Sequence, residues 1–209
     1  GVVHGVRTFL PHIVASGGGH IVNTASIAGL FPGFAAPYDA SKHAVVAMTE
    51  SLFNSLQMSP VPVGVSCLCP GWVRTGILDA DRNWPPELGA RPEVDPISAI
   101  SREYVRRAID EGTQAESRRA KAAEAQAELV ADLVLDAVRA NRFWVFPNPD
   151  FLEIAVARFH TIGEGLDPSP PEHVPGMPPR STMMAEVLEA VMATMAPTPA
   201  PEPDSDPPT

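Results

Sequence analysis

The chain has 209 residues, with 25 acidic and 15 basic side chains, a formal charge of −10 with histidines neutral, and 44% hydrophobic content. That balance disfavours nucleic acid and anionic membrane surfaces as partners: Lys42 and Lys121 are the only lysines, and no run of Arg and Lys exceeds two. No apolar run reaches the roughly 18–20 residues of a membrane helix and no basic leader precedes a cleavage-like site, so the expectation is a soluble intracellular protein with one domain of roughly 150–200 residues plus extras.

Gly1 opens the sequence in mid-element. Val2, Val3, Val6, Phe9, Leu10, Ile13 and Val14 have the spacing of a helix with one apolar face, which predicts a helix to Ser16 and reads as the continuation of a longer protein. Ser16 to Gly19 is a turn, and His20 to Thr24 predicts a short buried strand. The glycines follow a helix and open a strand, the reverse of a phosphate-cradling loop.

A loop from Ser26 to Pro37 leads to a helix over Tyr38 to Met58, with Ala44, Val45, Met48, Leu52, Phe53 and Leu56 recurring at three and four. Val63 to Cys69 predicts a second strand, ended by Pro70-Gly71. Cys67 and Cys69 lie two apart on it and therefore share a face, which predicts buried thiols. Strand, helix, strand in this order predicts a parallel α/β sheet.

Gly76 to Thr113 is read as irregular, interrupted by Pro85, Pro86, Pro92 and Pro96, and an insertion of this length is typically functional. A helix over Ser117 to Arg139 and a third strand over Arg142 to Phe146 follow. Half the prolines, 12 of 24, fall from Pro168 onward. Between them, Met183 to Met195 predicts a short amphipathic helix packed on its own domain or a sister subunit, and Pro197 to Thr209 predicts a disordered acidic tail.

Tyr38 and Lys42 stand four apart at the start of the long helix, on one face, in a chain with two tyrosines and two lysines. Ser26 stands twelve residues upstream, just past the HIVNT strand, and the carboxyl edge of an open parallel sheet is where ligands bind. A phenol titrates near ~10 and an adjacent ammonium favours its charged form. Such a tyrosine can exchange a proton with a substrate oxygen while a serine hydroxyl fixes that oxygen and the lysine biases the tyrosine. Removing a proton from an alcohol is productive when a hydride leaves with it, which calls for a nicotinamide cofactor.

In His20-Ile-Val-Asn-Thr-Ala-Ser26-Ile-Ala-Gly29, Tyr38-Asp-Ala-Ser-Lys42 and Cys69-Pro70-Gly71-Trp72-Val73-Arg74-Thr75, the sequence resembles the classical short-chain dehydrogenase/reductases, over Gly1 to about Phe146. The resemblance implies a doubly wound, Rossmann-like α/β fold, incomplete at the amino terminus. It implies that Ser26, Tyr38 and Lys42 are catalytic, that Lys42 also holds the nicotinamide ribose, and that Pro70, Gly71, Val73 and Thr75 line the nicotinamide side of an NAD or NADP site. It also implies a cytoplasmic location and a homodimer or homotetramer, assembled through the outer faces of the first and second helices.

The family's glycine-rich phosphate loop, its coenzyme-choosing residues and its catalytic asparagine have no counterpart here. The expected organisation is residues 1–160 as the carboxy-terminal part of the domain with a substrate lid about 76–116, an extension over 161–196 and a tail over 197–209. The expected function is interconversion of a secondary alcohol and a carbonyl. A hydrophobic substrate is expected because Ile77, Leu78, Trp84 and Leu88 lie where the family places its lid. The alternatives are a non-catalytic binding or oligomerisation module, or an epimerase or dehydratase of the extended branch. His43 lies one position round the helix from Lys42 and is expected to face solvent or a subunit; the histidines share no metal-ligand spacing.

Overall fold

The computed structural model describes residues 1–33, 35–94, 96–117 and 123–195. Three parallel strands form one sheet in the order β1 (Gly19–Thr24), β2 (Val63–Leu68), β3 (Trp144–Val145). β1 pairs with β2 along its whole length, Gly19 opposite Val63 and Thr24 opposite Leu68, and β2 carries β3 through Cys67 and Leu68. Around the sheet lie α1 (Val2–Ala15), α2 (Ala36–Gln57), α3 (Pro96–Ser117), α4 (Ala123–Arg139), α5 (Leu152–Gly163) and α6 (Arg180–Met195). The sequence-predicted helices and strands up to Cys69 lie where expected, with α2 starting two residues early because Pro37 fits a first helical turn.

The period-two alternation of β2 sends its side chains to two cores, as a sheet covered on both faces requires. Cys67 and Cys69 join Ala25, Ile27, Leu30, Phe31, Val46, Phe151 and Ala155 on one face. Leu68 packs with Val145, Ala137 and the α4 residues Val130, Leu133 and Val134 on the other. Both thiols are fully buried, 3.7 Å apart, and Cys69 is pushed far up by its contact with Cys67 and by burial, which keeps it a neutral core side chain.

Three parts of the chain differ from the sequence reading. The stretch from Gly76 to Thr113 is irregular only in its first half: two short 3-10 segments, Gly76–Asn83 and Pro86–Leu88, give way to the 22-residue α3. Pro96 reads as an interruption but is the first residue of α3, where no intrahelical N–H bond is needed. The following helix is described from Ala123; its expected first residue, Ser117, is instead the last of α3, and residues 118–122 lie outside the described ones. α5 was not anticipated, and its Ala155 lies in the core beside the unanticipated Phe151.

The carboxy-terminal extension is not peripheral. Val174 is buried in the same cluster as Cys67 and Cys69, Trp72 Nε1 donates to the Pro175 carbonyl at 2.6 Å, and Gly176, at φ +76°, lies against Ala108 of α3. α6 packs on α3 through buried Met183, while Met184, Leu188 and Met192 stay exposed, so the methionine-rich stripe divides between two faces. The tail from Pro197 lies outside the described residues.

Candidate active site

Ser26 ends the β1 segment on extended backbone and caps a single 3-10 turn, Ile27–Gly29, its Oγ accepting the Ala28 N–H at 3.2 Å. The same Oγ donates to the Pro70 carbonyl at 3.3 Å, and that carbonyl also accepts the Ile27 N–H at 2.9 Å. The loops after β1 and β2 are thereby joined at the carboxyl edge of the sheet. Ser26 is buried, at 7% exposure, so its hydroxyl is held rather than solvated.

α2 brings its chemistry to the same edge. Lys42 Nζ donates to the Thr24 carbonyl at 3.3 Å, two residues before Ser26, and lies 5.5 Å from the centroid of the Tyr38 ring. Burial draws the Lys42 ammonium below the ordinary lysine value. Tyr38 is 36% exposed, so its ring is open to a ligand.

The close approach of helix and loop needs a residue without a side chain. A Cβ on Gly29 would stand 2.7 Å from both the Lys42 carbonyl oxygen and Val46 Cγ2. Asp39, buried between Tyr38 and Lys42 in sequence, accepts the Gly33 N–H at 2.9 Å and ties the preceding loop to the first turn of α2. Asn23 Nδ2 donates to Thr49 Oγ1 at 3.1 Å, fastening β1 to α2 from within the core.

The other predicted residues follow β2. Pro70 and Gly71 are half-buried: the Pro70 carbonyl holds Ser26, and Gly71 lies against the Phe151 ring, which a Cβ would meet at 2.6 Å. Val73 is half-buried, and Thr75 is exposed with its Oγ1 accepting the Ile77 N–H at 3.4 Å. Ile77, Trp84 and Leu88 are exposed, while Asp79 and Asp81 reach Arg106 and Arg102 of α3 at 4.0 and 3.6 Å. His43 is half-buried and donates from Nδ1 to the Asp39 carbonyl at 2.9 Å, lining a groove of about 450 Å³ between α2 and α5.

The family model described as short chain dehydrogenase matches residues 1–86, the part that carries Ser26, Tyr38, Lys42 and the Pro70 loop. This part of the chain belongs to the short-chain dehydrogenase family. SadH of Mycobacterium tuberculosis, named as an oxidoreductase, is 47% identical over 79 residues, which are 37% of this chain and 28% of that protein. The 1-deoxy-11-beta-hydroxypentalenate dehydrogenase of Streptomyces avermitilis is 32% identical over 150 residues, 71% of this chain and 43% of that protein. A short chain dehydrogenase/reductase from Burkholderia phymatum, solved in complex with NAD, superposes with a TM-score of 0.71 at 35% identity, covering 83% of this chain and 58% of that one. The chain thus spans half or less of the length of the curated relatives it matches.

Within this chain, two residues at the site escaped the sequence reading. Asn148 Oδ1 accepts the Gly71 N–H at 2.9 Å, and Arg158 Nη1 donates to the Leu30 carbonyl at 3.0 Å. Both come from the stretch after β3. A polar residue between two prolines, Pro147-Asn148-Pro149, was the available signal for the first; nothing local marks the second. Among the described residues no helix is long and apolar enough to cross a membrane, and no group of three or more His, Cys, Asp or Glu is placed to hold a metal ion.

Proposed function

We propose that this chain carries the proton-transfer half of an NAD(P)-dependent dehydrogenase/reductase that interconverts a secondary alcohol and a carbonyl. The observation that carries the reading is the meeting of Lys42, on the Tyr38 face of α2, with the Thr24 carbonyl two residues before Ser26. Three side chain types suited to proton transfer, hydroxyl positioning and charge stabilisation are thereby held at one sheet edge.

In this reading Tyr38 Oη passes the proton to or from the substrate oxygen. Ser26 hydrogen-bonds that oxygen once its hydroxyl turns from Pro70, and Lys42 stabilises negative charge on the phenol. The residues present fit the nicotinamide side of a cofactor. Lys42 has one of its three N–H donors committed to Thr24, and Thr75 uses its oxygen as an acceptor, which leaves its own hydroxyl hydrogen for a ligand. Lys42, Pro70, Gly71, Val73 and Thr75 would hold that half of NAD or NADP, which supplies or accepts the hydride when bound. A hydrophobic substrate, covered by the exposed Ile77, Trp84 and Leu88, a homodimer or homotetramer, and a cytoplasmic location belong to the same proposal.

Tyr38→Phe in the natural gene product that contains this sequence tests the assignment. Loss of turnover by about 10²–10⁴-fold is expected, with the fold retained; normal turnover overturns it. A second reading is a non-catalytic binding or oligomerisation module. Hydride transfer by the 209-residue chain supplied with NADH or NADPH would eliminate that reading; the expected result for this chain by itself is none.

A further inference from the structure

The Pro70 carbonyl and the Gly71 N–H belong to one peptide unit, and that unit is held from both ends. Its oxygen accepts Ser26 Oγ at 3.3 Å and the Ile27 N–H at 2.9 Å, and its N–H donates to Asn148 Oδ1 at 2.9 Å. In a planar trans peptide these two groups point in opposite directions, so fixing the N–H fixes the carbonyl. Rotating the plane would turn the oxygen away from Ser26. Gly71, with no Cβ, is the neighbour least able to resist such a rotation.

Asn148 is suited to act as the restraint. Its backbone, at φ −120° and ψ 82°, sits between Pro147 and Pro149, and a residue that precedes proline is confined to extended conformations. Phe151, three residues on, packs against Gly71 and on Trp72 with ring centroids 5.7 Å apart, so the segment that presents the amide is itself seated in the core. A side chain held this way keeps its acceptor in place without paying rotamer entropy at each turnover.

We propose that Asn148 is a positioning residue for Ser26: through the Pro70–Gly71 peptide it sets where the serine hydroxyl proton points. This inference rests on the proposed role of Ser26. With the carbonyl fixed, the Ser26 hydroxyl proton has one defined acceptor in the resting site and one defined rotation toward a substrate oxygen. Without Asn148 the peptide plane is held only through its carbonyl, by the Ile27 N–H and Ser26, and the reference for the hydroxyl loosens.

The test is a double-mutant cycle in the natural gene product with NAD or NADP and a secondary alcohol, using Ser26→Ala, Asn148→Leu and the pair. Asn148→Leu is expected to lower kcat about tenfold with KM within about twofold, and to have no further effect in the Ser26→Ala background. Asn148→Asp, which keeps the acceptor, is expected to recover most of the rate. An equal loss in both backgrounds, or no recovery with Asp, overturns the positioning role. Ser26→Ala with undiminished kcat overturns the underlying reading of the site instead. Should Asn148→Leu not fold, amide hydrogen exchange of Gly71 in the natural gene product decides: protection in the parent and in Asn148→Asp, with loss in Asn148→Ala, is expected. An unprotected Gly71 amide in the parent refutes the restraint.

Discussion

Gly29 and Lys42 are in backbone contact: the position of a Cβ on the glycine falls 2.7 Å from the lysine's own carbonyl oxygen. The residue that ends the Ser26 turn and the residue that carries the ammonium are therefore set against each other without an intervening side chain. The contact fixes how closely the Ser26 turn approaches α2, and the Lys42 ammonium adds its bond to the Thr24 carbonyl.

Gly29→Ala is accordingly expected to destabilise the chain by about 1–3 kcal/mol, since neither the helix backbone nor the core residue Val46 can yield without moving α2. Urea unfolding measures it. An unchanged midpoint would mean that the loop and α2 are not in contact.

Trp72→Phe keeps a ring for the edge-to-face contact with Phe151 and removes the 2.6 Å hydrogen bond to the Pro175 carbonyl. The expected cost is about 0.5–1.5 kcal/mol. Limited proteolysis locates it: cleavage between Leu166 and Arg180 should quicken before cleavage elsewhere, because that bond is one of the ties holding the extension to the domain. Uniform quickening would place the loss in the core.

Tyr104, on α3, is buried, and among the described residues its hydroxyl has no hydrogen-bond partner although the Glu186 carboxylate on α6 is close enough to act on it; burial first and Glu186 second push its phenol up to about 12. Tyr104→Phe removes the hydroxyl and its contact with Glu186 at nearly constant shape, and since no hydrogen bond of good geometry is lost, stability should stay level or rise by up to about 1 kcal/mol. A clear loss on thermal unfolding would show that the hydroxyl is paired.

His20 supplies a pH dependence whose sign is fixed by its surroundings. Its Nε2 lies 2.8 Å from Ser66 Oγ, and Ser66 already donates to the Arg142 carbonyl at 2.6 Å, so the imidazole must be the donor to Ser66. Burial lowers the imidazole below its ordinary value of 6.5. The unfolded chain then binds the proton more readily, so this contribution is present above about pH 6.5 and is lost as pH falls from there toward the lowered folded value. Chemical denaturation from pH 7.5 to 5 should show the slope, and His20→Gln should flatten it. A slope of the opposite sign would contradict the burial of this ring.

What the sequence by itself determined is the part of the chain where local chemistry and position coincide. The alternation of HIVNT and VGVSCLC, the three-and-four spacing of α2 and the four-residue interval from Tyr38 to Lys42 each depend on near neighbours, and each is decided by periodicity. β1, α2 and β2 form in the expected places for that reason. The first half of the segment after Thr75 is likewise irregular as read, because Pro85 and Pro86 exclude a continuous helix there.

The tertiary structure alone decided which distant residues complete the site. Asn148 reaches Gly71 across 77 positions, Arg158 reaches Leu30 across 128, and Trp72 reaches Pro175 across 103. No periodicity encodes such pairings, since they arise only when β3 adds to β2 and carries the following chain back over the loops. The same holds for Val174, whose proline-rich surroundings read as an extension of the domain while its side chain lies in the core cluster that holds Cys67. Proline content predicts the absence of regular hydrogen bonding; it does not predict exposure, which depends on what the rest of the fold leaves uncovered.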